Sequence, residues 1–368
     1  DNVELLTLHN GQDDRIFRPA RTFSAASALE ITTAAPHFSG NERMNGKTTL
    51  RGGSFGLFNP SFLVNSRLSG RVTASLSSEW MRSRGNYPYL LRYGASAGDS
   101  ASRERRINGD VENLRLESSL HAQFSDRSRG DLRLYYYTSE RGLPGATIFY
   151  NTLHNAGQRL WDRNFFLQGH YQHAFSRKWE MQTDGKYQQS YLRYLDPTYL
   201  GAEGKVEDIF TQHEHYGSLS VLYRAFPNLS FSISGDLISA TMHANRQGFV
   251  TPTRLTSYTM VAARWVNEQL LATASLLRTQ TFESAENGTA GTNRNRLSPY
   301  LSASFKPFQN HDLRLRAFYK KSFRLPTFND LYYPQVGVRN LLPEDAEQYN
   351  IGITIGGDAG KWLKHYLF

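Results

Sequence analysis

Cysteine is absent from the 368-residue chain, which excludes disulfides and thiolate metal sites. No apolar run approaches the roughly 20 residues that a membrane-crossing helix needs, and mean hydropathy is −0.54. Catalytic signatures are missing too. There is no G-x-S-x-G nucleophile elbow, no G-x-x-x-x-G-K-[ST] phosphate loop and no H-E-x-x-H zinc motif. A Ser-His-Asp set can be picked from any serine-rich chain with 11 histidines, so without an elbow it carries no weight. No cofactor is expected. The glycine-rich stretch Gly52-Gly53-Ser54-Phe55-Gly56 lies at the end of a strand-like segment and reads as a tight turn that needs a permissive backbone. No secretory leader is visible at the start, and the chain is expected to open inside a longer folded protein.

Charge of one sign is not concentrated anywhere. Lys and Arg number 42 against 33 Asp and Glu, giving +9 and a pI near 9.6. That balance raises the question of nucleic acid. The cations are instead spread over alternating strand positions and over loops such as Arg103, Arg105 and Arg106, so nucleic acid is not an expected partner.

What the chain does have is a rhythm of turns. Strand-like segments are joined alternately by short links (Ser69-Gly70, Asp126 to Gly130, Arg177-Lys178, Pro227-Asn228, Asn267-Glu268, Gln309 to His311, Asp358 to Gly360) and by long polar ones. The long set covers roughly residues 84–111, 140–161, 195–214, 243–254, 283–295 and 325–342. Strict alternation of this kind fits an up-and-down barrel with one compartment at each end, short periplasmic turns facing long extracellular loops.

Between the turns runs a period of two. Leu114, Leu116, Leu120, Ala122 and Phe124 alternate with Arg115, Glu117, Ser119, His121 and Gln123. The pattern returns in Leu229, Phe231, Ile233 and Leu237 against Ser230, Ser232, Ser234 and Asp236, and in Leu313, Leu315, Ala317 and Tyr319 against Arg314, Arg316 and Lys320. One such strand suits a soluble half-buried sheet equally well; about a dozen with this loop rhythm point to a transmembrane barrel. Aromatic content of 13%, with 21 Tyr and 22 Phe, fits interfacial girdles. Trp80, Trp179, Trp265, Trp362, Tyr136, Tyr187 and Tyr319 are candidate members, although ordinary packing also accounts for them. The fold class is therefore all-β, an antiparallel up-and-down transmembrane β-barrel. About 14 complete strands are counted from Lys47, with the start of another at Trp362 to Phe368. An open edge is not tolerated in lipid, so either strands missing beyond Phe368 or another chain must close the barrel, and missing strands are the favoured expectation.

Two places carry a family resemblance. The stretch Ser322 to Tyr333 (SFRLPTFNDLYY), then Gly337 to Glu344 (GVRNLLPE) and Gln348 to Ile353 (QYNIGI), resembles the signature of TonB-dependent outer-membrane receptors, in which an F-R-A-P-like box and an N-P-N-L-x-P-E-like box bracket an extracellular loop. Phe323, Arg324, Pro326, Asn340, Leu341, Pro343 and Glu344 match; Leu325 replaces the usual Ala, and Val338-Arg339 replaces the first two residues of the second box. At the start, Asp1 to Glu4 and Pro19 to Thr33 (PARTFSAASALEITT) are similar to the end of that family's plug domain, with Ala28 to Thr32 in the place of its last strand. The resemblance implies that residues 1–40 are the C-terminal end of a plug domain with its linker. Residues 41–368 would then be an incomplete part of a 22-stranded barrel, wide enough to require a plug.

It further implies an outer-membrane receptor of a Gram-negative bacterium that actively imports a scarce bulky nutrient, a metal chelate such as cobalamin, a ferric siderophore or haem. Work would arrive from a TonB-type inner-membrane transducer acting on the missing N-terminal part; the chain would be a transducer rather than an enzyme. No His lies between Phe323 and Glu344, which counts against haem. The alternatives are a passive porin or adhesive barrel and, further off, an outer-membrane hydrolase. Ligand contacts are expected on the long loops, at Tyr87, Tyr89 and Tyr93 and at Tyr332 and Tyr333, for which loop packing is the other reading. His213 and His215 share a strand face at a spacing that suits a metal, as it also suits ordinary lumen-facing polar residues.

Overall fold

The computed structural model describes residues 3–11, 13–92, 101–145, 157–199, 204–309, 312–333, 337–358 and 364–367. The first two strands, β1 (Val3–Asn10) and β2 (Ser27–Thr33), form an antiparallel sheet of their own. The chain between them makes an excursion, the lumen loop, which contains a 3-10 turn at Ala20–Phe23.

The strands that follow are β3 (Met44–Gly53), β4 (Leu57–Arg67), β5 (Val72–Ser83), β6 (Pro88–Arg92), β7 (Ala101–Arg105), β8 (Val111–Ser125), β9 (Ser128–Gly142) and β10 (Arg159–Ala174). Next come β11 (Trp179–Asp196), β12 (Val206–Phe226), β13 (Leu229–Ala244), β14 (Pro252–Val266), β15 (Leu270–Ala285), β16 (Arg294–Phe305) and β17 (Asp312–Arg324). A short helix, α1 (Phe328–Tyr332), precedes β18 (Glu344–Asp358) and the four-residue β19 (Lys364–Leu367). Apart from β1–β2 and the β6–β7 hairpin, these form one 15-stranded sheet in which sequence neighbours pair antiparallel throughout. Pairing begins at Met44, three residues before the strand start read from the sequence.

Because the sheet is a meander, connections alternate between two ends. The β5–β8, β9–β10, β11–β12, β13–β14, β15–β16 and β17–β18 links lie at one end together with the tight β3–β4 turn, and the remaining short turns lie at the other. The turn chemistry is local. In the β14–β15 link Asn267 accepts hydrogen bonds from the backbone N–H of Gln269 (3.0 Å) and Leu270 (2.7 Å), an Asx arrangement that closes the hairpin without distant help. At Gly52 to Gly56, β3 turns into β4 with Phe55 at φ 60° and Gly56 at φ 73°, so the glycine-rich stretch is the turn expected.

Burial follows the period of two. On β13, Phe231, Ile233 and Leu237 are 43, 54 and 56% exposed, whereas Ser232, Ser234 and Asp236 are 5, 1 and 2% exposed. Apolar side chains point outward and polar ones inward, the reverse of a soluble core and the arrangement of a barrel wall facing lipid. Leu255, Val261, Leu276, Leu297, Leu301 and Leu315 continue the outward apolar band. No helix among the described residues is long and apolar enough to cross a membrane.

Candidate ligand-binding site

Two components meet inside the barrel: the lumen loop, residues 11–26, and the segment between β17 and β18. The lumen loop lies against the inner wall of β12–β15, where Ile16, Ala20 and Phe23 pack with Leu222, Met260, Ala262 and Leu277. Polar groups fix its path. The Asp236 carboxylate on β13 accepts from the backbone N–H of Ala20 (2.9 Å) and Arg21 (2.8 Å), from Ser218 Oγ (2.9 Å) and from the Tyr216 hydroxyl (3.0 Å). Ser220 and Ser234 donate to the Arg18 carbonyl at 3.0 and 2.7 Å. Lys320, 1% exposed, donates its ammonium to the carbonyls of Gly11 (2.7 Å) and Ala25 (2.6 Å), clamping both ends of the loop. Gly11 sits at φ +83° with the Phe318 ring 2.8 Å from where a Cβ would stand, so only glycine fits that approach.

At the base of the loop an ionic cluster ties β1 to β2. Glu30 accepts from Arg18 (2.9 and 3.0 Å), Arg15 (2.6 Å) and His9 (3.1 Å), and Asp13 pairs with Arg15 and Arg18. Hydrogen bonding from Arg18, opposed in part by desolvation, holds the Glu30 carboxyl at about 2 instead of the ordinary 4.5. His9, Asp13 and Glu30 are the one His/Asp/Glu group among the described residues with metal-like proximity, and two arginines already occupy its carboxylates.

The segment between the two sequence boxes folds inward over the wall. Arg324 and Glu344 face each other in register as the last residue of β17 and the first of β18, joined by two bonds of 2.9 and 2.5 Å that close the hairpin. Beyond it, Thr327 caps α1 in a reciprocal capping box with Asp330. Bonds from the backbone and side chain of Thr327 hold the Asp330 carboxyl below its ordinary range. Phe328 is buried at 4% exposure against Phe210 and Met242. Arg254 on β14 supports the turn from below: it donates to the Pro326 carbonyl (2.8 Å), pairs with Glu283 (2.5 Å) and lies 5.0 Å from the Phe328 ring.

Between the lumen loop and this inward segment is a cavity of about 570 Å³. Its floor is Arg21, Ser24 and Ser27, its side Glu214, Thr256, Tyr258, Thr279 and Thr281, and its roof Phe323, Leu325 and Phe328. Every arginine on its surface is matched by a glutamate: Arg21 with Glu214 (3.6 Å), Arg254 with Glu283 and Arg324 with Glu344. The arrangement can hold a ligand by hydroxyl hydrogen bonds and ring contacts, with paired charges that need no counter-ion.

The tyrosines singled out from the sequence fall in separate places. Tyr333 packs on Phe210 with the two rings tilted by 33° (4.7 Å between centroids) and lines a second cavity of about 300 Å³ with Asp162, Gln188 and Gln212. Tyr332 packs edge-on against Phe249 and Phe328 at 6.2 and 5.8 Å. Desolvation raises both phenol pKa values above the ordinary 10.0. Tyr87 contacts Phe55 at 6.2 Å and Tyr89 lies in β6, with no contact to α1 among the described residues; Tyr93 lies outside them, as does Trp362. Of the box residues, Phe323 and Pro326 are buried, Asn340, Leu341 and Glu344 exposed and Pro343 half-buried.

One expectation needs correcting. His213 and His215 share a face of β12, but it is the outward one: they alternate with Gln212 and Glu214, which line the lumen cavity, and the Tyr187 hydroxyl contacts His213 Nδ1 at 3.0 Å. Leu219, on the same face and outward at 49% exposure, fixes the parity of this 21-residue strand. The residues that sequence reasoning missed are Asp236 and Lys320. Each stood out only as a charge inside a run of alternating polar positions.

The fold and site together define a wide outer-membrane barrel whose lumen is partly filled by the chain's own N-terminal segment. A family model described as TonB dependent receptor-like, beta-barrel matches residues 54–364, and the chain belongs to the TonB-dependent receptor family. It resembles the FrpB iron transporter from Neisseria meningitidis (F3-3 variant) with a TM-score of 0.74 at 11% identity, covering 97% of this chain and 58% of that one. It also resembles the copper transporter OprC (TM-score 0.69, 12% identity, 97% and 57% covered) and the siderophore receptor PiuA from Acinetobacter baumannii (0.66, 11%, 96% and 60%). At these identities the likeness is one of fold, and the chain spans 57 to 60% of the length of these structures. No curated protein matches it by sequence. The barrel is thus an outer-membrane protein of the TonB-dependent receptor class.

Proposed function

We propose that this chain is the plug end and much of the barrel of a receptor that captures a bulky metal chelate at its outer mouth and imports it with energy from a TonB-type partner. In this reading residues 1–40 finish the plug domain, residues 41–368 form barrel wall, and the chain works as a mechanical transducer with no catalytic role of its own. The observation that carries it is the lumen loop, docked on β12–β15 by Asp236, clamped from β17 by Lys320 and forming the floor of the 570 Å³ cavity. A ligand seated there touches plug and barrel at once, so displacement of the loop would change its hold on the ligand. That coupling is what a gated importer requires and a passive pore does not. Iron, copper and siderophore transporters among the similar structures support the chelate class.

The reading is tested by titrating the purified full-length receptor with ferric hydroxamate and catecholate siderophores, a copper chelate and cobalamin, following tryptophan fluorescence. Saturable one-to-one binding of one chelate class is expected. No binding by any of them, together with free passage of small sugars through the receptor in liposomes, would reverse it.

A further inference from the structure

The cavity of about 300 Å³ beside Tyr333 takes no part in docking the lumen loop. Three neighbouring strands and α1 enclose it: Asn164 comes from β10, Gln188 and Ser190 from β11, Gln212 from β12 and Asn329 from α1. Strand register accounts for the convergence, since Asn164 stands directly opposite Ser190, and Ser190 opposite Gln212, on the inward face of the wall. Phe328 lines the larger cavity, Phe210 and Met242 line this one, and the three pack together into the partition between them. Gln212 reaches both cavities.

The polar groups here are uncharged and largely unengaged. The side chains of Asn164, Gln212 and Asn329 have no hydrogen-bond partner among the described residues. Gln188 gives one N–H to Ser190 Oγ at 3.1 Å and keeps its other donor and its oxygen. A carboxamide offers two donors and an oxygen with two lone pairs, so each of these side chains can bond a hydroxyl in either sense. The carboxylate on the wall, Asp162, is already held by Arg141 at 2.7 Å. Apolar contact is supplied by the Tyr333 and Phe210 rings.

These features discriminate among ligand chemistries. A charged group finds no unmatched opposite charge on the wall, and covering free carboxamides with an apolar group would leave them unsatisfied at a cost. An extended peptide presents its amides along two edges, whereas the donors and acceptors here arrive from four elements around the cavity. A sugar ring carries hydroxyls round its rim, each a donor and an acceptor, and C–H groups on its faces that suit an aromatic wall.

We propose that this cavity is a subsite for an uncharged saccharide unit. Its volume stands at the lower end of the roughly 300–1,000 Å³ usual for ligand pockets, which suits a single ring. The inference rests on the receptor reading and adds to it the chemistry of one part of the ligand.

The test titrates the full-length receptor, in a polyoxyethylene detergent that carries no sugar, with the neutral methyl hexosides of glucose, galactose and mannose, with glucosamine and glucuronate as charged counterparts, and with a blocked, uncharged dipeptide; saturation-transfer NMR reads binding. At least one neutral hexoside should bind several-fold more tightly than the charged sugars and the dipeptide. Asn164→Leu and Asn329→Leu should each weaken that binding roughly fivefold to tenfold, the range expected from losing one or two uncharged hydrogen bonds. Gln172→Leu, on the same face of β10 but at its short-turn end, should leave it unchanged. Failure of every neutral hexoside to bind, equal binding of neutral and charged sugars, tighter binding of the dipeptide, or undiminished binding in both leucine variants would each overturn the proposal. Should Asn164→Leu not fold, Asn329→Leu, which lies on α1 outside the barrel wall, decides alone. A receptor that binds one of the chelates but no hexoside would overturn this inference and leave the importer reading standing; hexoside binding with no chelate bound would support this inference and count against the chelate.

Discussion

Replacing Asp236 by asparagine should loosen the lumen loop without disturbing the barrel. The carboxylate is 2% exposed and accepts four hydrogen bonds, two of them from the loop backbone at Ala20 and Arg21. Asparagine has nearly the same volume, but one oxygen becomes an amino group that must face donors. At least two charge-assisted bonds are lost, each worth about 1.5–3 kcal/mol, so about 3 kcal/mol is a conservative figure. Packing of Ile16 and Phe23 against Met260 and Leu277 is untouched, so the loop should remain docked and open more often. At 1.4 kcal/mol per tenfold, the opening equilibrium should rise roughly 100-fold. Amide hydrogen exchange in the full-length receptor reads this directly: the N–H groups of Ala20 and Arg21 should exchange about two orders of magnitude faster, while the β13–β14 ladder stays as protected as before. Unchanged exchange at Ala20 and Arg21, or equal loss of protection in β13 and β14, would refute the assignment of Asp236 as an anchor. Lys320→Met should have a smaller effect, because it deletes two bonds but also removes a buried charge that has only carbonyls for company.

Other outcomes follow from the same geometry. Leu116→Arg on the lipid face should cost roughly 2 to 4 kcal/mol near mid-bilayer, and Ser119→Arg on the lumen face much less; equal destabilisation in denaturant titrations would point to a two-sided soluble core. Joint replacement of Tyr332 and Tyr333 by alanine should weaken ligand binding while the barrel melts at an unchanged temperature, since both rings belong to the inward segment and not to a strand. Glu30, held at about 2 in the folded chain against an ordinary 4.5, contributes stability that is present above pH 4.5 and is lost as pH falls toward 2. Exchange protection of β1 and β2 should fall across that window, and Glu30→Gln should remove the pH dependence. A pH-independent unaltered protein would contradict the ionic cluster.

The barrel wall was legible in the sequence because its signal is local. Leu229, Phe231, Ile233 and Leu237 against Ser230, Ser232 and Ser234 specify two faces by alternation alone, and link lengths give the two ends. The hairpin closed by Arg324 and Glu344 could be anticipated from the two boxes that flank it. The site itself was not legible. Lys320 shares its alternating row with Arg314 and Arg316, and nothing nearby in sequence indicates that its partners are carbonyls 309 and 295 positions away. Asp236 likewise meets backbone groups 216 and 215 positions earlier. Such contacts follow from closing a wide barrel around an N-terminal segment, a global event with no local spacing. The capping box at Thr327 and Asp330 was written in the sequence, but the inward fold of α1 depends on Arg254, a strand residue far from it.

The central claim is that a ligand held between lumen loop and mouth segment crosses only when work displaces the loop. Uptake of the cognate chelate by cells expressing the full-length receptor, measured before and after collapse of the proton gradient, tests it most directly. Transport should stop when the gradient is lost while surface binding persists; transport that continues unchanged would contradict the gated importer and favour a passive pore.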